Sequence, residues 1–126
     1  MEVTILGSGS SGGVPRADGD WGVCDPAEPK NRRRRCSLLV RRKGEGSQTT
    51  VLVDTSPDLR EQAIAAEIRR IDAVLFTHDH ADQVHGIDDL RAFFLRQRSR
   101  IPAWMDETTR AVLEQRFHYI FENTGG

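Results

Sequence analysis

The stretch Thr77-His78-Asp79-His80-Ala81-Asp82-Gln83-Val84-His85-Gly86 decides how this chain is read, because it holds three of the four histidines and begins where an apolar run ends. That run, Asp72-Ala73-Val74-Leu75-Phe76-Thr77, is composed like a strand buried on both faces of a sheet. In an extended or turning segment, side chains two apart project to the same side, so His78 and His80 can offer two imidazoles to one ion. Asp82, a further step of two along, adds a carboxylate that can reach a neighbouring ion or hold a ring in place. Loops beyond the carboxyl ends of strands are also where open α/β sheets bind ligands. A polar surface turn is the plain alternative, but three histidines interleaved with acids after a buried strand favour the metal reading.

Working outward, Val3 to Leu6 reads as a first strand running into Gly7-Ser8-Gly9-Ser10-Ser11-Gly12-Gly13. From there to the arginine run no helical or strand period appears, and a loop of that length is a candidate wall or lid over a site. Cys36 to Val40 and Thr49 to Asp54 are strand-like, and the glycines of Gly44-Glu45-Gly46-Ser47 predict a hairpin between them. Ser56 and Pro57 read as the cap and first position of a helix carrying Ile64, Ile68 and Ile71 through Arg70. After the histidine stretch, Ile87, Leu90 and Phe94 predict a helix, Ile101 to Met105 a short edge strand, and Leu113, Phe117 and Ile120 another helix. The order is that of an α/β domain. The closing Asn123-Thr124-Gly125-Gly126 reads as a stop inside a loop.

A chain of 126 residues with 37% hydrophobic and 29% charged residues fits one modest soluble domain. No apolar run approaches a membrane span, and the first residues lack the basic start of a signal peptide, so the expected location is cytoplasmic. Cys24 and Cys36 have no Cys-x-x-Cys spacing and predict reduced thiols, Cys36 as a buried strand residue. The net charge of −1 hides an asymmetry: Lys30, Arg32, Arg33, Arg34, Arg35, Arg41, Arg42 and Lys43 lie together with no acid among them. Such a patch can hold a phosphate group or a nucleic acid, or be a solvated surface.

Gly7 to Gly12 matches the dinucleotide pattern G-x-G-x-x-G, but Gly13, Val14 and Pro15 continue a loop where that motif needs a helix, so no nucleotide cofactor is expected. The interleaved aromatics of a single-strand platform are missing beside the arginines. Cys24 as a nucleophile is a weaker reading than the histidines as ligands.

These residues carry a family resemblance. His78-Asp79-His80-Ala81-Asp82 is similar to the His-x-His-x-Asp-His signature of the metallo-β-lactamase superfamily. Thr4 to Ser10, Val53-Asp54-Thr55-Ser56-Pro57 and Gly86-Ile87-Asp88-Asp89-Leu90 fall where that superfamily's corresponding pieces would. Gly13-Val14-Pro15, Trp21 and Cys24 resemble the first loop of the phosphonate-pathway cyclic phosphodiesterase branch, and a more distant likeness is to the tRNA 3′-end-processing endonucleases. The resemblance implies an α/β chain forming the amino-terminal βα half of a metallo-β-lactamase-like αββα sandwich, with residues 1–126 a single, incomplete domain. It implies a metal-dependent hydrolase acting on a cyclic or nucleotide-like phosphodiester, with His78 and His80 on the first ion and Asp82 both a ligand and the catalytic candidate. Asp54 would be a carboxylate orienting the metal loop, against the simpler reading of a turn acid before Pro57. Arg34 and Arg35 would clamp the substrate phosphate. Zinc, as one or two ions, is the implied cofactor, with manganese the alternative where carboxylates dominate.

Two departures matter. Gln83 stands where the signature has a histidine, and its amide oxygen is a poor substitute on zinc, which leaves His85 or Gln83 itself as replacement ligands. The family's remaining ligands come from a second half, and His118, in helical phase, does not supply them. Competing expectations are a nucleic-acid-binding module using Arg32 to Arg35, and an inactive half-domain whose unpaired sheet face drives homodimerisation or aggregation.

Overall fold

The structure, a computed structural model, describes residues 1–122; the tetrapeptide 123–126, read above as a loop, lies outside them. Five strands form one sheet whose spatial order follows the sequence: β1 (Glu2–Gly7), β2 (Ser37–Lys43), β3 (Gln48–Val53), β4 (Ala73–Leu75) and β5 (Ala103–Trp104). The first three pair antiparallel, with the hairpin at Gly44 to Ser47, and β4 and β5 then add in parallel. Parallel neighbours need crossovers. Helix α1 (Leu59–Ala65) lies in the first, while α2 (Ala81–Val84) and α3 (Leu90–Gln97) lie in the second. Helices α4 (Glu107–Arg116) and α5 (His118–Phe121) follow β5, separated at Phe117, where a single continuous helix was expected.

Register explains where the core lies. Leu39, Leu52 and Val74 sit side by side on β2, β3 and β4, and all three are fully buried. Leu59, Ala63, Phe93 and Leu113 from the helices join them in one apolar cluster. Each large aliphatic side chain buried there stabilises the fold by about 1.5–3 kcal/mol.

The opposite sheet face is also apolar, and none of its residues is buried. It carries Val3, Ile5, Leu38, Val40, Val51, Val53, Ala73, Leu75 and Trp104. Ile5 is 68% exposed, Trp104 64% and Leu75 40%. The run around β4 was read as covered on both faces; among the described residues only the face of Val74 is. The composition is that of a surface built for burial, and the described residues leave it uncovered.

Helix α1 is shorter than its isoleucine spacing predicts. It ends in a Schellman motif, with Ile68 N–H bonded to Ala63 C=O at 2.9 Å and Glu67 N–H to Ile64 C=O at 3.1 Å, and with Glu67 left-handed at φ 50°. Ile64 therefore faces solvent at 60% exposure, while Ile68 and Ile71 reach the core from the connection that follows. At the front of the helix, Ser56 Oγ accepts from Asp58 N–H at 3.1 Å, so Ser56 and Pro57 form a turn ahead of the first helical residue rather than its cap.

The long first loop is stitched to the backbone of the arginine run. Gly9 N–H bonds to Arg34 C=O at 2.8 Å, and Val14 and Arg33 exchange both backbone bonds at 2.9 Å. A side chain at Gly7 would place its Cβ 2.0 Å from Arg35 C=O, which requires glycine there. From Gly13 to Glu28 the chain forms turns and bends and no helix. Among the described residues, no helix is long and apolar enough to cross a membrane.

Candidate metal centre

β3 and β4 run parallel and end together, so Asp54 and Thr77 emerge near each other at the carboxyl ends of these strands. Asp54 is left-handed at φ 59° and its N–H bonds to Leu75 C=O at 2.7 Å, which turns its buried carboxylate toward the segment leaving β4. Thr77 donates twice to that carboxylate, from N–H to Oδ1 and from Oγ1 to Oδ2, both at 2.7 Å. Burial pushes the Asp54 carboxyl up from its ordinary value, and the two Thr77 hydrogen bonds oppose that shift.

The Thr77 hydroxyl is also 2.9 Å from Nδ1 of His78. A hydroxyl has one proton, and here it goes to the Asp54 carboxylate. His78 must then donate from Nδ1, leaving the lone pair on Nε2, the form in which an imidazole binds a metal. The hydrogen bonds of the Thr77 hydroxyl set this tautomer.

His78 and His80 meet edge to face with ring centroids 4.6 Å apart. His80 is the residue from which α2 starts: its carbonyl accepts from Gln83 N–H at 3.0 Å and Val84 N–H at 3.2 Å. The loop is held from behind. Thr55 N–H bonds to Gln83 C=O at 2.7 Å, and Gly86 N–H to Thr55 C=O at 2.9 Å. A Cβ at Gly86 would lie 1.9 Å from Ser56 C=O, so only glycine lets the two segments meet. From the other side, Arg116 at the end of α4 donates to Asp79 C=O at 3.0 Å.

The other expected site residues are dispersed around this pair. Asp82 Oδ2 accepts from Gln83 Nε2 at 2.9 Å, and the same nitrogen is 2.8 Å from Cys36 Sγ. Cys36 therefore sits just ahead of β2 against the metal loop, half-buried rather than within a buried strand, and burial raises its thiol from the ordinary value. His85 is exposed and packs edge-on against Phe117 at 6.1 Å, and His118 lies beside Tyr119 at 5.9 Å. Arg35 is engaged by Asp58 through its backbone N–H at 2.8 Å, Nε at 3.0 Å and Nη2 at 2.7 Å. Arg34 is exposed and, with Lys30, Arg32 and Arg33, lines an open hollow of about 460 Å³ beside the end of β1. Arg32 stacks over Trp21 at 5.3 Å.

The donor chemistry fits one position of a metal site and leaves it incomplete. Two adjacent imidazoles, one with its tautomer set for ligation, are a suitable pair of ligands. No group of three or more His, Cys, Asp or Glu side chains that could hold an ion is assembled among the described residues. Two features of the site lie beyond the sequence expectations: the hydroxyl of Thr77 and the Gln83–Cys36 contact. A threonine between the end of a strand and the first histidine was the available signal for the first. The second joins residues far apart in sequence and left none.

Residues 49–125 match the model of the β-lactamase superfamily domain. Over 96% of its length the chain is 36% identical to an octanoyltransferase of Porphyromonas gingivalis, of which it spans 24%. Over 72% of its length it is 35% identical to a coenzyme PQQ synthesis protein B of Methylobacterium nodulans, of which it spans 34%. Among solved structures, it superposes on a diphosphatase of the PhnP family with a TM-score of 0.83 and 43% identity, covering 94% of this chain and 46% of the other. The chain thus spans less than half the length of these relatives.

Proposed function

The chain belongs to the β-lactamase superfamily domain family, and from that premise we propose that residues 1–126 supply half of a metal-dependent hydrolase cleaving a small phosphodiester, cyclic or nucleotide-like. Its fold is the amino-terminal βα half of a metallo-β-lactamase-like αββα sandwich. The observation that carries the proposal is the His78–His80 pair, 4.6 Å between centroids, at the end of β4 with His78 oriented through Thr77 by Asp54. The likeness to a diphosphatase supports chemistry at phosphorus.

In this reading His78 and His80 hold a divalent ion, zinc in preference to manganese because the ligands are imidazoles. Such an ion supplies Lewis-acid activation of water and offsets charge developing on phosphate oxygens. Asp54 acts through Thr77 to keep the His78 ring fixed and its Nε2 unprotonated. Asp82, two residues beyond His80 with its Oδ2 on Gln83 Nε2, is the candidate carboxylate to accept a proton. Arg34 contributes to holding the anionic substrate, whereas Arg35 is committed to Asp58. The remaining ligands and the cover for the apolar sheet face come from chain beyond this half. A nucleic-acid module finds less support, because Arg35 and Arg32 are already engaged with Asp58 and Trp21.

The test is metal content and hydrolysis of bis(p-nitrophenyl) phosphate by the complete protein. Stoichiometric zinc and turnover, both lost in His80→Ala with the fold intact, are expected. A metal-free protein whose oligonucleotide affinity falls steeply with salt would instead establish the binding module.

A further inference from the structure

Beside the histidine pair, a carboxylate and a thiol converge on a single atom. Asp82 Oδ2 and Cys36 Sγ lie 2.9 and 2.8 Å from the same nitrogen, Nε2 of Gln83. A carboxylate and a sulfur that both close on one point are donors suited to a thiophilic divalent ion. That point is filled by the amide of Gln83, whose two N–H bonds direct partial positive charge at the two groups. We propose that Gln83 is a built-in occupant of a second cation position, so that the centre on His78 and His80 takes one metal ion and excludes another. This rests on the reading of His78 and His80 as ligands.

Three observations carry the proposal. Gln83 is buried, with 6% of its surface exposed, and its backbone is fixed at both ends, by His80 C=O and by Thr55 N–H. The backbone bonds fix where the side chain starts, and its burial leaves the amide packed against Asp82 and Cys36. Its orientation is set by charge: turning the amide over would press Oε1 against the Asp82 carboxylate, two acceptors facing each other. Finally, Oε1 is buried with no hydrogen-bond partner among the described residues. The amide thus directs its donors at Asp82 and Cys36 while its acceptor stays unpaired, an orientation consistent with the two groups setting it.

Cobalt(II) titration of the complete protein tests this, because a thiolate ligand produces a near-ultraviolet charge-transfer band that imidazole and carboxylate ligands do not. The wild type should bind one cobalt per chain without that band. Gln83→Ala, which opens the position, and Gln83→Glu, which replaces the amide's donors with a further oxygen ligand at nearly the same size, should each bind a second cobalt. In Gln83→Ala the second ion should bring the band, and adding Cys36→Ser should remove it. Two cobalts in the wild type, a thiolate band in the wild type, or a single cobalt in both folded variants would overturn the proposal. A wild type that binds no cobalt would sink the metal reading itself, so the two failures are distinguishable by stoichiometry alone.

Discussion

Asp54 and His78 are coupled through one proton: the Thr77 hydroxyl gives it to Asp54 Oδ2 at 2.7 Å and so must accept from His78 Nδ1 at 2.9 Å. Asp54→Asn should reverse the direction of this chain. The new amide can still accept from Thr77 N–H, but its NH₂ would then donate to the hydroxyl, which would turn its proton onto His78 Nδ1. The ring would carry its hydrogen on Nε2, the atom needed for the metal. Nitrogen-15 NMR of the His78 ring should show the tautomer change, with metal affinity falling about 10–100-fold. An unchanged tautomer would remove Asp54 from its orienting role.

Gly86→Ala should disrupt the centre without touching a ligand. Its φ of −92° is open to any residue, so the cost is purely the added Cβ lying 1.9 Å from Ser56 C=O. Overpacking of this kind typically costs about 1–3 kcal/mol, and backbone against backbone should reach at least the upper end. Denaturant unfolding of the complete protein measures the loss, which should bring weaker metal binding because the histidine loop must move away from Thr55 and Ser56.

The Arg35–Asp58 pair should make stability pH-dependent on the acid side. Its hydrogen bonds to Arg35 hold the Asp58 carboxyl below its ordinary value, against the opposing effect of burial. With the folded value depressed, the stabilising contribution is complete above the unfolded carboxylate's value, about 4, and is lost as pH falls through the folded one. Asp58→Asn should cost about 1–2 kcal/mol at pH 7, and the gap to wild type should narrow once the pH drops below about 4. Parallel unfolding curves at both pH values would contradict this.

Glu67→Gly should stabilise the protein. Glu67 occupies the left-handed position of the α1 Schellman motif at φ 50°, where a side chain is strained and glycine is not. A gain of about 0.5–1 kcal/mol is expected by thermal or chemical unfolding, less the loss from greater freedom in the unfolded chain.

Residues 1–126 produced alone should self-associate through the apolar sheet face. Sedimentation velocity should show dimers or larger species, and Val40→Lys, which places a charge in the middle of that face, should return the chain toward monomer. A monomeric fragment with cooperative unfolding would show that the face is tolerated in water.

The parts of the fold legible in the sequence were those set by short-range pattern. Alternation and glycines marked β1 and the β2–β3 hairpin, and the apolar run into His78 marked β4 and the loop at its end. The end of α1 was not legible, because Glu67 adopts a glycine-like conformation with no glycine to signal it, and the isoleucine spacing ran on past it. The coverage of β4 was misread for a different reason: Leu75 has the composition of a buried residue, and composition cannot say whether the covering surface lies within the same stretch of chain. At the site, spacing alone suggested the pairing of His78 with His80. The roles of Thr77, Gln83 and Cys36 depend on β2 beginning where β3 and β4 end, a tertiary fact with no local trace.

Each strand of the sheet lies next to the one made just before it. During synthesis, every new strand can therefore dock on an edge that already exists, without waiting for a distant partner to emerge. Such a layer can be assembled one strand at a time, each addition presenting the edge on which the next one pairs. The vulnerable interval is the time during which the newest strand offers a bare edge, so slow elongation between two strands would favour pairing with another chain.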